Sequence, residues 1–546
     1  MNQTIASDSG QLESLRVHAA DNVRVALKDL PTGSEIDDDG RRITLVEPIR
    51  HKHKFALAPL ALGDTVIMYG VTVGRATQSI AEGAAITTGN LEHSTDSATA
   101  QARRGSWQAP DVSRFEGATF DGYHRPDGRV GTANVWLVVP LVFCENRNIE
   151  VLRQCVADAL GEDPYRDYKR LARELLHGAA GAEPAAPPAE RLFPNVDGVR
   201  FLTHTLGCGG TDDDAQALCR LLAGYICHPN VAGATVLSLG CQKAQIEMIK
   251  RAVAARDPQG LRPVHYLEQQ ASISEEALIR EALTTIFDGL AEANRVERAP
   301  ASLTELSVGV ECGGSDGFSG LSANPVVGAL VDRLVAIGGS GILSEFPELC
   351  GVEHELIARC RDDATAERFR SLMDAYQRHA ASVGADFSMN PSPGNVRDGL
   401  ITDAMKSAGA AKKGGDSPVV DVLDYTEPQT RKGLNLLCSP GNDVESTTAL
   451  AGSGANLILF TTGLGTPTGN PVTPVLKIAS NSELARRMSD IIDFDAGPVI
   501  RGEATIDELA DQLLQLCVDA ASGRYRSRAV NLAQYDFIPW KRGVSL

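Results

Sequence analysis

The chain has 546 residues, 43% hydrophobic and 22% charged, the balance of a folded globular protein too long for one ordinary core. Its 52 basic and 70 acidic residues leave a net charge of −18, which argues against nucleic acid or an anionic membrane as a partner but permits a small anionic ligand in a local basic pocket. Eleven cysteines without a closely spaced CxxC pair exclude a disulfide scaffold and suggest a reducing compartment.

The first ten residues, MNQTIASDSG, are polar and lack the apolar core of a signal peptide. No apolar run reaches the ~18 residues of a membrane helix, so a cytoplasmic protein is expected. Residues 14–93 break into strand-sized pieces such as NVRVALKDL, RRITLVE and DTVIMYG, with Asp39-Gly40 as a hairpin turn. This predicts a small all-β domain over residues 1–95. A polar Ser/Ala/Gln-rich linker (96–118) follows. From there the pattern alternates. NVWLVVPLVFC (134–144) reads as a buried strand, GAAGAEPAAPPAE (178–190) as a surface insertion, and 272–296 as helix-rich. ERAPAS marks a second boundary, separating a middle α/β domain (119–300) from a C-terminal one (301–546). In the latter, LSVGVEC, SGILSE, SPVVDVLDY, GLNLLCS, NLILFTTG and TPVLKIAS alternate with helix candidates. That is the signature of a parallel sheet with crossover helices.

Three apolar strand-like runs end in a cysteine beside glycine: VRFLTHTLGCGG (199–210), ATVLSLGCQ (234–242) and LSVGVECGGSD (306–316). They put Cys208, Cys241 and Cys312 at strand ends, where open α/β sheets bind ligands. Three thiols converging there would suit iron. The other cysteines, Cys155, Cys350 and Cys517 among them, fit helix-like patterns and read as packing residues. ECGGSDGFSGLSANP (311–325) joins a strand to a helix and can present amides to an anion. Glu345 and Glu348 follow the strand SGIL as candidate hard ligands or bases. Lys406, Lys412 and Lys413 could neutralise a substrate carboxylate. NPSPGN, SPGND and TTGLGTPTGNP add polar turns, and His204 precedes Cys208 by four residues as a candidate acid or base.

Taken in order, GYHRPDGRVGTAN, HTLGCGG, LSLGCQ, ECGGSDGFSGLSANP, NPSPGN, SPGND, GTPTG and FIPWKRGVSL resemble the successive signatures of the altronate/galactarate dehydratase family. The likeness covers nearly the whole chain and is closer to the altronate dehydratases. The resemblance implies an SAF-type β-clip domain, a middle domain used for dimerisation and a Rossmann-like C-terminal domain. It implies dehydration of a sugar acid, D-altronate first and galactarate or another aldarate as the alternative, to a 2-keto-3-deoxy acid. Iron or manganese dependence and a homodimer are implied with it. A non-catalytic sugar-acid-binding protein is the rival class. The chain departs from the family at ITTGN (86–90), where many members carry His-x-His-Asn, and at Ala133 and Leu464, where members often carry a cation. On this reading Cys208, Cys241 and Cys312, with Asp316 and Glu345 as second candidates, form the iron environment. His204, Glu345 and Lys406 are the catalytic candidates. Ser315, Asn324, Asn395, Asn442 and Thr466 are expected to hold substrate oxygens. A single Fe(II) and a [4Fe–4S] cluster both remain open.

Overall fold

The computed structural model describes residues 12–95, 107–161, 163–177 and 191–546. The expected insertion at 178–190 and residues 96–106 of the expected linker lie outside them. Residues 107–118 hold a short 3-10 turn, Ser113–Phe115, whose Phe115 is buried.

The N-terminal part is antiparallel throughout, as short strands closed by tight turns require. One sheet runs Ser14–Leu15, Val23–Ala26, Lys54–Ala56 and Ala85–Ile86; another runs Thr65–Met68, Val71–Ala76 and Leu91–Glu92. The hairpin Glu35–Asp38/Arg41–Thr44 turns on Asp39 and Gly40, both at positive φ (54° and 88°), the geometry that matches strand twist.

Four parallel strands form the middle sheet, in the order Gly198–Phe201, Val135–Pro140, Val231–Ser238, Val264–Glu268. The central Val135–Pro140 strand is buried at every position, the mark of a strand covered on both faces. Ala299–Ser302 pairs with Thr119–His124, so the two ends of the middle region are pinned together.

The C-terminal sheet has seven parallel strands in the order Val419–Leu423, Gly433–Leu437, Ser340–Leu343, Ser307–Cys312, Leu457–Thr462, Val475–Ala479, Phe494–Asp495. After Ser307–Cys312 the chain adds strands first on one side and then, from Leu457, on the other. Cys312 and its loop therefore stand at the topological switch point, where this class of sheet opens a crevice beyond the strand ends.

The three parts share cores. One apolar cluster joins Val73 and Tyr69 of the β domain to Val308, Val326 and Leu349 of the C-terminal domain. A second joins Leu137 and Leu222 to Leu450 and Ile458. Helix Asp212–Ile226 packs so closely on helix Asp443–Ser453 that a Cβ on Gly224 would lie 2.2 Å from the Gly452 carbonyl oxygen. No helix among the described residues is long and apolar enough to cross a membrane.

Candidate active site

At the switch point Cys312 ends its strand fully buried, and the loop after it can exist only as glycine. A Cβ on Gly313 would meet Asp443 Oδ2 at 2.1 Å, and Gly314 has φ +60°. On the neighbouring strand end Glu345 takes the left-handed conformation at φ +65°, a strained state for a non-glycine residue, worth about 1–3 kcal/mol. Its surroundings hold it there. Its N–H donates to Ser439 Oγ (3.0 Å), and its Oε2 accepts from the Cys312 N–H (3.2 Å) and from Lys413 Nζ (2.6 Å).

Lys413 also reaches Cys312 Sγ at 2.7 Å, and that thiol lies 3.1 Å from Glu348 Oε2. Lys406 Nζ stands 2.6 Å from Glu348 Oε1 and donates to Asn390 Oδ1 at 3.3 Å. The result is a buried chain of alternating charge. Burial alone would push the Lys413 ammonium down, but Cys312, Glu345 and Glu348 hold it well above its ordinary value. Burial, with Glu345 and Glu348 beside it, pushes the Cys312 thiol well up. Burial would also raise Glu348, but Lys406 and Lys413 outweigh it and keep it ionised.

Behind this chain Glu311 and Glu345 lie side by side, and Glu311 Oε1 and Glu345 Oε1 are buried with no hydrogen-bond partner. Burial and the Glu345 charge push Glu311 well above the carboxylate range. At the rim is Asp443, half-buried at the start of its helix. Burial first, then the charges of Glu345 and Glu348, raise it to about 7. A carboxyl poised at neutrality beside fixed ion pairs is suited to take up and give back a proton.

A second cluster abuts the first. His93 from the β domain, Cys350 and Asp403 bring one ligand atom each within 4.8 Å of one another. Asn390 Nδ2 donates to Asp403 Oδ1 (3.1 Å), linking this cluster to Lys406, while Asp403 Oδ2 is buried without a partner. Burial holds His93 neutral and pushes Cys350 and Asp403 up.

The other expected residues are placed differently. Cys208 and Cys241 are exposed and follow strands of the middle sheet, so the three thiols do not converge. The glycine before Cys208 serves chain crossing instead: a Cβ on Gly207 would lie 2.1 Å from the Leu141 carbonyl oxygen. His204 is no proton carrier. Its Nε2–H donates to the Pro140 carbonyl (2.8 Å), its Nδ1 accepts from the Leu206 N–H (3.1 Å), and burial pushes it down to about 4. Asp316 is a domain anchor, not a ligand in waiting. It accepts from Ser319 Oγ, Ser480 Oγ and Asn481 and pairs with Lys52 Nζ of the β domain at 3.0 Å.

Asn324 spends its amide on Thr461 and the Gly409 carbonyl, Asn395 on Ser392 and the Ser315 carbonyl, and Asn442 on capping the Asp443–Ser453 helix. They shape loops instead of facing a substrate. Ser315 keeps a buried hydroxyl without a partner, and Thr466 Oγ1 lies over Gly314, 2.8 Å from where its Cβ would be. Glu345 and Lys406 lie in the first cluster, together with Cys312, Glu348 and Lys413. His93, Cys350, Asp403 and Asp443 were not singled out for the site from the sequence.

Residues 12–94 match the altronate/galactarate dehydratase SAF domain, 122–294 the D-galactarate dehydratase/altronate hydrolase second domain, and 303–545 the D-galactarate/altronate dehydratase C-terminal domain. The chain is 35% identical to an altronate dehydratase of Escherichia coli (strain K12), over 98% of this chain and 100% of that one. It is 33% identical to an altronate dehydratase of Bacillus subtilis (strain 168), over 97% and 99%. With a galactarate dehydratase (L-threo-forming) of Escherichia coli (strain K12) it shares 32% identity over 94% and 93%.

Proposed function

The chain belongs to the D-galactarate/altronate dehydratase family, a family of hydro-lyases, and from that premise we propose that it removes water from a sugar acid, with D-altronate as the first candidate substrate. The likeness over the full length of the altronate dehydratases carries the choice of reaction class. The geometry supplies the parts. Removing the proton beside a carboxylate builds charge on a group already anionic, so the site must place cations and a tuned base together. Asp443 takes that proton. The electrons of the broken C–H bond form the carbon–carbon double bond as the β-hydroxyl departs, and the protonated Asp443 hands its proton to that hydroxyl, which leaves as water. The resulting enol becomes the 2-keto-3-deoxy acid. Lys406, the ammonium nearer the rim, receives the substrate carboxylate, while Lys413 and Glu345 hold Cys312 and its loop in register. The free hydroxyls of Ser315 and Thr466 hold substrate oxygens.

For the metal, the two clusters differ in fit. Around Cys312, Glu345 and Glu348 the cation positions are already taken by two ammonium groups. His93, Cys350 and Asp403 offer an imidazole, a thiol and a carboxylate, with one carboxylate oxygen buried and unpartnered. Once deprotonated they balance a divalent charge and suit Fe(II), with Mn(II) as the alternative. Among the described residues no three thiols come together, which leaves a three-thiolate [4Fe–4S] cluster without its donors. A divalent ion held by His93, Cys350 and Asp403 would supply a Lewis acid for a substrate oxygen.

The test is direct. Anaerobic protein loaded with Fe(II) is incubated with altronate, galactarate and the matching alditols, and 2-keto-3-deoxy acid is measured. Product from altronate and none from the alditols is expected. Turnover of galactarate alone would move the assignment to the aldarates, and binding without product from either acid would leave a sugar-acid-binding protein.

A further inference from the structure

Far from the switch point, at the opposite edge of the sheets, lies a cavity of about 200 Å³ between the middle and C-terminal domains. It opens beside the first residues of the Val135–Pro140 and Gly198–Phe201 strands and the segment leading into Val475–Ala479. Parallel strands rise about 3.3 Å per residue, so their whole length separates this cavity from the residues that follow their other ends.

The walls are unlike the rest of this acidic protein. Four guanidinium groups, Arg191, Arg200, Arg298 and Arg526, line the cavity with one carboxylate, Asp197. Asp197 is already occupied: it accepts from the Asn134 N–H at 2.8 Å and stands 3.7 Å from Arg298. Arg298 is held by the carbonyls of Asp121, Ala521 and Thr132. Arg200 is the telling residue. It is 8% exposed, its Nη2 donates to the Asp197 carbonyl (2.9 Å), and its guanidinium stacks 4.2 Å from the Tyr535 ring centroid. Its Nε is buried with no acceptor. Its Nη1 donates to the Val199 carbonyl (3.3 Å), so Arg200 is a fixed, stacked positive charge in the cavity wall, the kind of charge that suits an oxyanion. A positive excess inside low-dielectric walls also concentrates anions there.

We propose that this cavity binds a small oxyanion, a phosphate or a compact polycarboxylate, at a site separate from the catalytic crevice, where it bridges the middle and C-terminal domains. The shared chemistry is two or more negatively charged oxygens.

Isothermal titration of the metal-loaded full chain with pyrophosphate and, separately, citrate tests this. Saturable binding of at least one is expected; which of the two binds identifies phosphate or carboxylate as the preferred source. Arg200→Gln and Arg526→Gln should each weaken it about tenfold or more, since each removes a charged hydrogen bond, while turnover without added anion stays unchanged. Arg526 is exposed, so its variant remains informative if Arg200→Gln folds poorly. Binding should persist in Lys406→Met. The proposal is overturned if neither anion binds, if binding is unaltered in Arg526→Gln, or if Lys406→Met abolishes it, which would put the anion in the catalytic crevice.

Discussion

Two buried clusters stand side by side at the switch point, each with a cysteine and a carboxylate, yet they are electrostatic opposites. Around Cys312 the chain supplies its own cations: Lys406 pairs with Glu348, and Lys413 pairs with Glu345 and touches the thiol. Around Cys350 no ammonium touches the thiol or the imidazole among the described residues, and Asp403 leaves an oxygen unpaired. The lesson is that a cysteine beside carboxylates can carry its own counter-charge or lack one, and only the second arrangement leaves room for an outside cation. On the proposed reading one cluster manages protons and substrate charge and the other accepts an ion from outside.

The largest break in that comparison is Lys413→Met. It leaves Glu345 and Glu348 with one ammonium in a dry interior, so unfolding in urea should show a loss of about 3–5 kcal/mol, and turnover should vanish. Stability within 1 kcal/mol of the parent would mean that the Cys312 cluster is not held by its lysines. Next comes Asp443→Asn. With Asp443 as base, kcat/KM should rise with pH through about 7 and level off above it. The variant should lose about 10²–10⁴-fold in rate together with that limb of the profile. An unchanged profile would remove Asp443 from the chemistry.

A smaller effect concerns buried groups that have neither a lysine nor a metal. His204 and His228 are held neutral by burial, pushed down to about 4 and about 3. The unfolded chain titrates near 6.5, so it binds more protons than the folded one below that pH. Their contribution is whole above about 6.5 and is lost as the solution is acidified toward about 4. Chemical denaturation at stepped pH should show this fall, with a shallower slope in His228→Gln. No change of slope would mean that His228 is already charged in the fold.

Much of the scaffold was legible. Asp39-Gly40 announced its hairpin because both residues tolerate positive φ, and six of the seven C-terminal strands announced themselves as apolar runs of strand length between helix-period segments, the two-residue edge strand Phe494–Asp495 being too short to do so. Cys312 and Glu345 drew notice because they follow apolar strands, the ends that a parallel sheet gathers at its switch point, and Lys406 because a cation there could neutralise a carboxylate. Cys208 and Cys241 misled because glycine beside a strand end signals close approach without saying what approaches. At Gly207 it is the backbone of Leu141. Asp443 looked like any acid in a helix's first turn, where carboxylates are common for the dipole alone. His93 was hidden by distance along the chain, since its partners lie in another domain and only the docking of the β domain brings them together. Cys350 sat in a pattern that suits a packing cysteine, which buried position alone cannot distinguish from a ligand.

The division of labour between the clusters is open to one spectroscopic measurement. Cobalt(II) is added to the metal-free anaerobic protein, and the thiolate-to-cobalt charge-transfer band is recorded for the parent, Cys350→Ser and Cys312→Ser. The band should disappear in Cys350→Ser and persist in Cys312→Ser, with Cys208→Ser and Cys241→Ser unchanged. A band lost in Cys312→Ser and kept in Cys350→Ser would contradict the account, putting the metal among the lysines.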